Sequence, residues 1–127
     1  MLRRRNHRGS AVVDFVLVLV VLVPLFLGIL QVGLVLFVRN TLANAAAEGA
    51  RHGAALDRDL AAGEQRTRSE AAGVVSGRFT RDVDARLVSL DGRPTVEVVV
   101  RARVPALGLG GPGIDVVVVG HAVEESP

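Results

Sequence analysis

Residues 15–38, FVLVLVVLVPLFLGILQVGLVLFV, are an unbroken apolar run of 24 positions with no charge and one polar side chain, Gln31. As a helix rising ~1.5 Å per residue the run spans about 36 Å, enough to cross a ~30 Å hydrocarbon core with some tilt. The alternative is the buried helix of a soluble protein, and the remaining chain is too small to surround one. Beyond the run, Leu42, Ala46, Gly49, Gly53, Leu56 and Leu60 recur at spacings of 4, 3, 4, 3 and 4. This is a narrow seam on one side of a helix, half of it Ala or Gly. A partner helix can approach closely along such a seam, although Ala is also simply a good helix former. Asp57, Asp59 and Gly63 predict a break or a bend. Residues 64–79 then return to a helical period, with Glu64 and Arg68 at i,i+4 and Ala71, Val74, Val75 and Phe79 on one face. The charges of this segment read as a solvated face.

From Val83 the period falls to two. Residues 95–104, TVEVVVRARV, place Val96, Val98, Val100, Ala102 and Val104 on one side, the pattern of a half-buried strand. Residues 85–90 read as a weaker strand before it. Asp91-Gly92 supplies the turn, and Pro94 implies a connection longer than two residues. Residues 114–123, IDVVVVGHAV, make a third strand after a loop-like PALGLGGPG at 105–113 that carries Leu107 and Leu109. A small antiparallel meander packed on the second helix is expected, because a lone hairpin is marginal.

Charge sets the orientation. Four Arg lie in the first eight residues, whereas residues 10–127 hold eleven Arg against thirteen acids. The N-terminal flank of the span is therefore the basic one, and the positive-inside rule puts it in the cytoplasm with residues 40–127 outside. A cleaved secretory signal would have an apolar region of ~7–15 residues, shorter than this one, so a signal anchor is the better reading. The expected architecture is an α+β membrane protein. One long N-terminal transmembrane helix extends into an extracytoplasmic helical stretch, and a small three-stranded antiparallel sheet follows. The divisions are a basic cytoplasmic leader (1–9), the transmembrane helix (10–39), an extracytoplasmic helical region (40–79) and a small β region (80–127).

Composition removes several kinds of chemistry. There is no Cys, Trp or Tyr, and all fifteen basic residues are Arg. Thiolate metal sites, disulfides and cysteine nucleophiles are thereby excluded. No basic stripe with aromatic platforms follows Arg8, so a nucleic-acid partner is not expected. His7, His52 and His121 do not have ligand spacing, and Gly108-Leu109-Gly110-Gly111 lacks the Lys and helix of a phosphate cradle. No catalytic constellation is present, and no enzyme activity, metal, cofactor or small-molecule substrate is expected.

The sharpest local pattern is Arg-Gly-Ser-Ala-Val-Val-Asp-Phe at residues 8–15. A carboxylate, Asp14, stands at the mouth of the span, where a charge is costly. Two readings of it remain open: an assembly contact, or a helix cap among lipid headgroups.

The junction resembles the class III leader of prepilin-like proteins, in which a membrane aspartyl peptidase cuts after the Gly and an acid occupies the fifth mature position. Counting Ser10 as the first, Asp14 is the fifth. The resemblance continues through Pro24, Gly28, Gln31-Val32-Gly33, Arg39, Leu42, Ala45-Ala46 and Glu48-Gly49-Ala50-Arg51. These fall where the TadE-like family has Pro, Gly, Glu-Phe-Gly, Arg, Leu, Ala-Ala and Glu-Gly-Ala-Arg. Two positions depart from that pattern: Asp14 stands for the usual Glu, and Gln31 for the Glu of Glu-Phe-Gly.

The resemblance, over residues 8–54, implies a minor pilin or pseudopilin of the tight-adherence (Flp-type) pilus machinery, anchored in the plasma membrane and not an enzyme. It implies processing at Gly9 and Ser10, and an assembly contact at Asp14. It also implies helix packing in the membrane through Pro24, Gly28, Gln31 and Gly33, and a juxtamembrane motif of Arg39, Glu48, Gly49, Ala50 and Arg51. The implied partners are the lipid bilayer, other pilins or pseudopilins, membrane platform proteins and, if the leader is removed, a prepilin peptidase. If cleavage follows Gly9, the new amine of Ser10 has an ordinary pKa of ~7.7–8.0 and is largely cationic at neutral pH. It then lies one turn from Asp14, or against Asp14 of a neighbour. The competing reading is a generic single-pass membrane-anchored extracytoplasmic binding or sensor module, which needs neither Gly9 nor Asp14.

Overall fold

The structure is a computed structural model and describes residues 7–55, 59–74, 80–107 and 113–125. Its elements are α1 (His7–Ala54), α2 (Leu60–Val74), β1 (Thr80–Leu90), β2 (Arg93–Val104) and β3 (Ile114–Val123). The strands form one antiparallel sheet in the order β1-β2-β3. This is an α+β arrangement whose first helix is long and apolar enough to cross a membrane. The best 18-residue window of α1 has a mean hydropathy of 2.9, and none of it is buried inside the protein.

The helix α1 does two jobs. Its first half stands clear of every other described element: nearly all side chains from Gly9 to Leu30 are exposed. Its second half is the spine of a small domain. Val38, Leu42, Ala45, Ala46, Ala50 and Ala54 are buried at helical spacing. They meet Val96, Val98, Val100, Ala102 and Val104 of β2, Val83 and Ala85 of β1, and Val116 and Val118 of β3. The strand β3 runs the same way as α1. Its Gly120 abuts Ala46, and just beyond β3 the Glu125 N–H donates to the Ala54 carbonyl at 2.9 Å.

The small-residue seam is filled from within the chain. Gly53 packs on Gly63 of α2, where an added Cβ would lie 3.2 Å from the Gly63 Cα. An added Cβ at Gly49 would lie 2.8 Å from the Gly63 carbonyl and overlap the hydroxyl of Thr67. Gly63 is therefore a helix contact inside α2 and not the expected break. The helix instead starts at Leu60, after Asp59, whose carboxylate accepts a hydrogen bond from the Ala62 N–H at 2.8 Å, a side-chain cap. Leu56, Asp57, Val75, Phe79 and the 108–111 glycine run lie outside the described residues.

Two further expectations are corrected. The connection between β1 and β2 is only two residues long, with Leu90 paired to Arg93 and positive φ at Asp91 (51°) and Gly92 (77°). Both values suit the primed turns that match strand twist. Pro94 fits because Ser89 and Pro94 form the next pair. In an antiparallel ladder that pair, adjacent to the closing one, exchanges no hydrogen bonds. Its carbonyl faces the other way and accepts from the Glu124 N–H at 2.9 Å.

The second correction concerns Glu64 and Arg68, which do more than face solvent. Glu64 accepts from the Ala85 N–H at 3.0 Å, and Arg68 donates to the Val83 carbonyl at 2.9 Å. The two side chains, 3.3 Å apart, occupy backbone groups on the free side of β1, an edge strand that would otherwise be open to pairing.

The outer face of the sheet carries ion pairs across the strands. Arg101 meets Asp82 at 3.2 Å and Arg103 meets Asp115 at 2.8 Å. Glu97, on the central strand, takes Arg86 from one side and His121 from the other. Hydrogen bonds from His121 first, and Arg86 second, hold its carboxyl below the ordinary value of 4.5.

Two predictions follow from this packing. At Gly120 a Cβ would lie 2.5 Å from the Ala46 carbonyl oxygen, which is helix backbone and has no rotamer to yield. Gly120→Ala is expected to cost about 1–3 kcal/mol, as overpacking does. Thermal unfolding of the detergent-solubilised chain, followed by circular dichroism, should show the loss, whereas Gly28→Ala, with open space around it, should not. The second prediction concerns pH. Glu97 titrates lower in the folded than in the unfolded chain, so its stabilisation is complete above the unfolded value. It is lost as pH falls through the folded one. The wild-type melting temperature should therefore drop between pH 6 and pH 3 more than that of Glu97→Gln, and equal drops would refute the assignment.

Candidate functional site

The residues singled out in the sequence are strung along α1 and form no single cleft. Gly9 and Ser10 are exposed and helical, near the first described residue of α1. Asp14 is exposed and lies inside the helix, with helical residues on both sides of it. In the intact chain its own position is helical, so it does not cap α1.

Pro24 lies inside α1, and helix continues on both sides of it. Gly28 and Gly33 have nothing within 4 Å of an added Cβ, so both face open space. Around them Leu22, Phe26, Ile29 and Val32 are exposed. That surface is apolar and unoccupied by any described part of the chain.

Gln31, unlike these glycines, has partners in the head. Its amide reaches the backbone that follows β2. The Leu107 N–H donates to Gln31 Oε1 at 2.7 Å, and Gln31 Nε2 donates to the Pro105 carbonyl at 3.2 Å. Both halves of the amide are thus satisfied by one short loop. This partner was not foreseen, because nothing local to residue 31 refers to residues 105–107.

The juxtamembrane motif divides by face. Gly49 and Ala50 are buried against α2 and the sheet, while Arg39 is exposed just after the buried Val38. Glu48 and Arg51 point outward and lie 3.8 Å apart, both well exposed, an arrangement worth at most about 1 kcal/mol. With Thr41, Asn44 and the Arg66–Glu70 pair of α2 they line an open groove of ≈ 590 Å³. Its charges balance, so it favours neither an anion nor a cation. Among the described residues no group of three or more His, Cys, Asp or Glu could hold a metal ion.

What this geometry offers is a rod and a head: an exposed apolar helix whose far end is built into a small α+β domain. No curated protein and no solved structure matches the chain. One protein family does: residues 9–51, from the Gly before the span to the Arg that closes Glu-Gly-Ala-Arg, match the model of the family described as TadE-like protein.

Proposed function

We propose that this protein is a membrane-anchored minor pilin or pseudopilin of a tight-adherence (Flp-type) pilus assembly or secretion system. The observation that carries the proposal is the family match over residues 9–51, which begins at Gly9 and takes in Asp14 and the whole apolar run. The rod-and-head form supports it. Subunits of this kind need an apolar helix free to pack on neighbours, and in α1 the side chains from Gly9 to Leu30 are almost all uncovered. The protein sits in the plasma membrane with its N-terminus in the cytoplasm and its α+β head outside. Its partners are the bilayer, other pilins or pseudopilins, the platform proteins and, at the leader, a prepilin peptidase. It works by packing and carries no catalytic role.

In this reading, cutting after Gly9 releases the amine of Ser10. The amine and the Asp14 carboxylate then neutralise each other within a subunit or between neighbours, offsetting the cost of a lone charge near hydrocarbon.

Two experiments test this. Mass spectrometry of the protein from native membranes should find Ser10 as the N-terminus. An intact leader in a cell that assembles its pili would overturn processing and favour a plain anchored binding module. The second experiment compares variants at Asp14 in an assay of surface pili. Asp14→Glu should assemble, while Asp14→Asn, isosteric but uncharged, should insert normally and assemble poorly, since an unpaired buried charge costs ~3–5 kcal/mol. Assembly retained in Asp14→Asn and lost in Asp14→Glu would eliminate the carboxylate as an assembly contact.

A further inference from the structure

The head is tied to α1 at a level where the apolar run has not ended. Gln31 holds Pro105 and Leu107, yet the helix stays apolar up to Val38. On the side turned away from the sheet, Val32, Leu36 and Phe37 are exposed. From Gln31 to Phe37 the helix rises about 9 Å. The end of the sheet beside it also exposes apolar side chains over the same depth. Leu107, Ile114 and Val117 are exposed, and Ile114 to Val117 covers about 10 Å of strand. Helix and sheet thus present a band of exposed apolar side chains, which ends on the helix at Arg39.

We propose that this end of the head is seated in the bilayer, in the boundary between headgroups and acyl chains, and does not stand off in water. The inference rests on α1 crossing the membrane.

Two observations set the depth. Asp14 and Gln31 are 17 residues apart, about 26 Å of helix, close to the thickness of a thin hydrocarbon core. The full run of residues 15–38 overshoots that core by roughly 10 Å, the height of the band. The band also carries the Arg103–Asp115 pair, with side chains 45% and 68% exposed, and the equally exposed Arg101–Asp82 pair beside Val117. Charges so placed are too costly for the hydrocarbon centre and suit the headgroup layer, where Arg can meet lipid phosphate. The hydrocarbon core therefore runs from Asp14 to Gln31, and residues 32–38 share the interface with Leu107, Ile114 and Val117.

The chain contains no Trp or Tyr, so one introduced Trp is an unambiguous probe. Full-length single-Trp variants are reconstituted in phosphatidylcholine–phosphatidylglycerol vesicles. The acyl chains carry bromine either near the carbonyl or near the chain end. The Leu107→Trp variant should emit at short wavelength and lose more intensity to the shallow bromines than to the deep ones. Ile114→Trp serves as a second reporter of the same layer. Val21→Trp, in mid-span, should be quenched best by the deep bromines. Leu90→Trp, at the far end of the sheet, should be untouched by either and open to acrylamide. Leu107→Trp and Ile114→Trp both behaving like Leu90→Trp, with Val21→Trp quenched, would overturn the seating and leave the span intact. In that case a neighbouring subunit, not lipid, must cover Val32, Leu36 and Phe37. Val21→Trp escaping the deep bromines would overturn the span and the seating together.

Discussion

The structure depends on how closely two backbones approach α1. A head built mainly of Val and Ala, with no aromatic side chain in its buried cluster, has little apolar area per residue to bury. A three-stranded sheet on its own is marginal, and a short second helix adds little. Stability therefore requires close contact along the second half of α1. That contact comes from residues without side chains: Gly120 lets β3 lie on the Ala46 backbone, and Gly49 and Gly53 face Gly63 in the crossing of α2. Each of these glycines gives up chain entropy, and Gly49, Gly53 and Gly63 do so within helices. The compensation is van der Waals contact between main chains, which larger residues would hold apart.

Much of this architecture was legible because its signals are local and periodic. The apolar run announced itself by length, and β2 and β3 by alternation. The 4-3-4-3-4 seam identified the side of α1 that is covered, since Leu42, Ala46, Gly49 and Gly53 are all buried. Other features were hidden because they depend on partners distant in sequence. The start of β1 is masked by composition: Arg81, Asp82 and Asp84 surround Val83, and only Val83 and Ala85 turn inward to the core. Pro94 suggested a longer loop, because the sequence does not say which strand pairs lack hydrogen bonds. Glu64 and Arg68 looked like an ordinary helix pair until β1 lay alongside them. The site residues divide the same way. Gly9, Ser10 and Asp14 stand out by order along the chain, whereas the true partners of Gln31 are backbone atoms 74 and 76 residues away.

Gln31 also shows how one substitution acquires a second meaning. A glutamate there could accept the Leu107 N–H, but ionised it has no hydrogen to give to the Pro105 carbonyl. The amide satisfies both, and does so without placing a charge within the apolar run. Where the TadE-like pattern that the chain resembles has Glu, this chain makes a pair of bonds that only an amide can make at neutral pH.

Those bonds bear on how a rod and a head act together. From Asp14 to Ala54 the chain is one helix of about 60 Å, and no residue between Gly33 and Glu48 is Gly or Pro. A helix without such breaks transmits rotation and translation along its axis, because its kinks arise mainly at those residues. The Gln31 clamp adds a second attachment, at the opposite end of the head from the Glu125–Ala54 bond. The head is thus fastened to α1 near both ends and does not swing from one. A contact made by the exposed first half of α1 consequently sets the height and the azimuth of the head, and the converse holds as well. Between Asp14 and the clamp that coupling can relax at Pro24, which removes a backbone hydrogen bond, and at the unpacked Gly28.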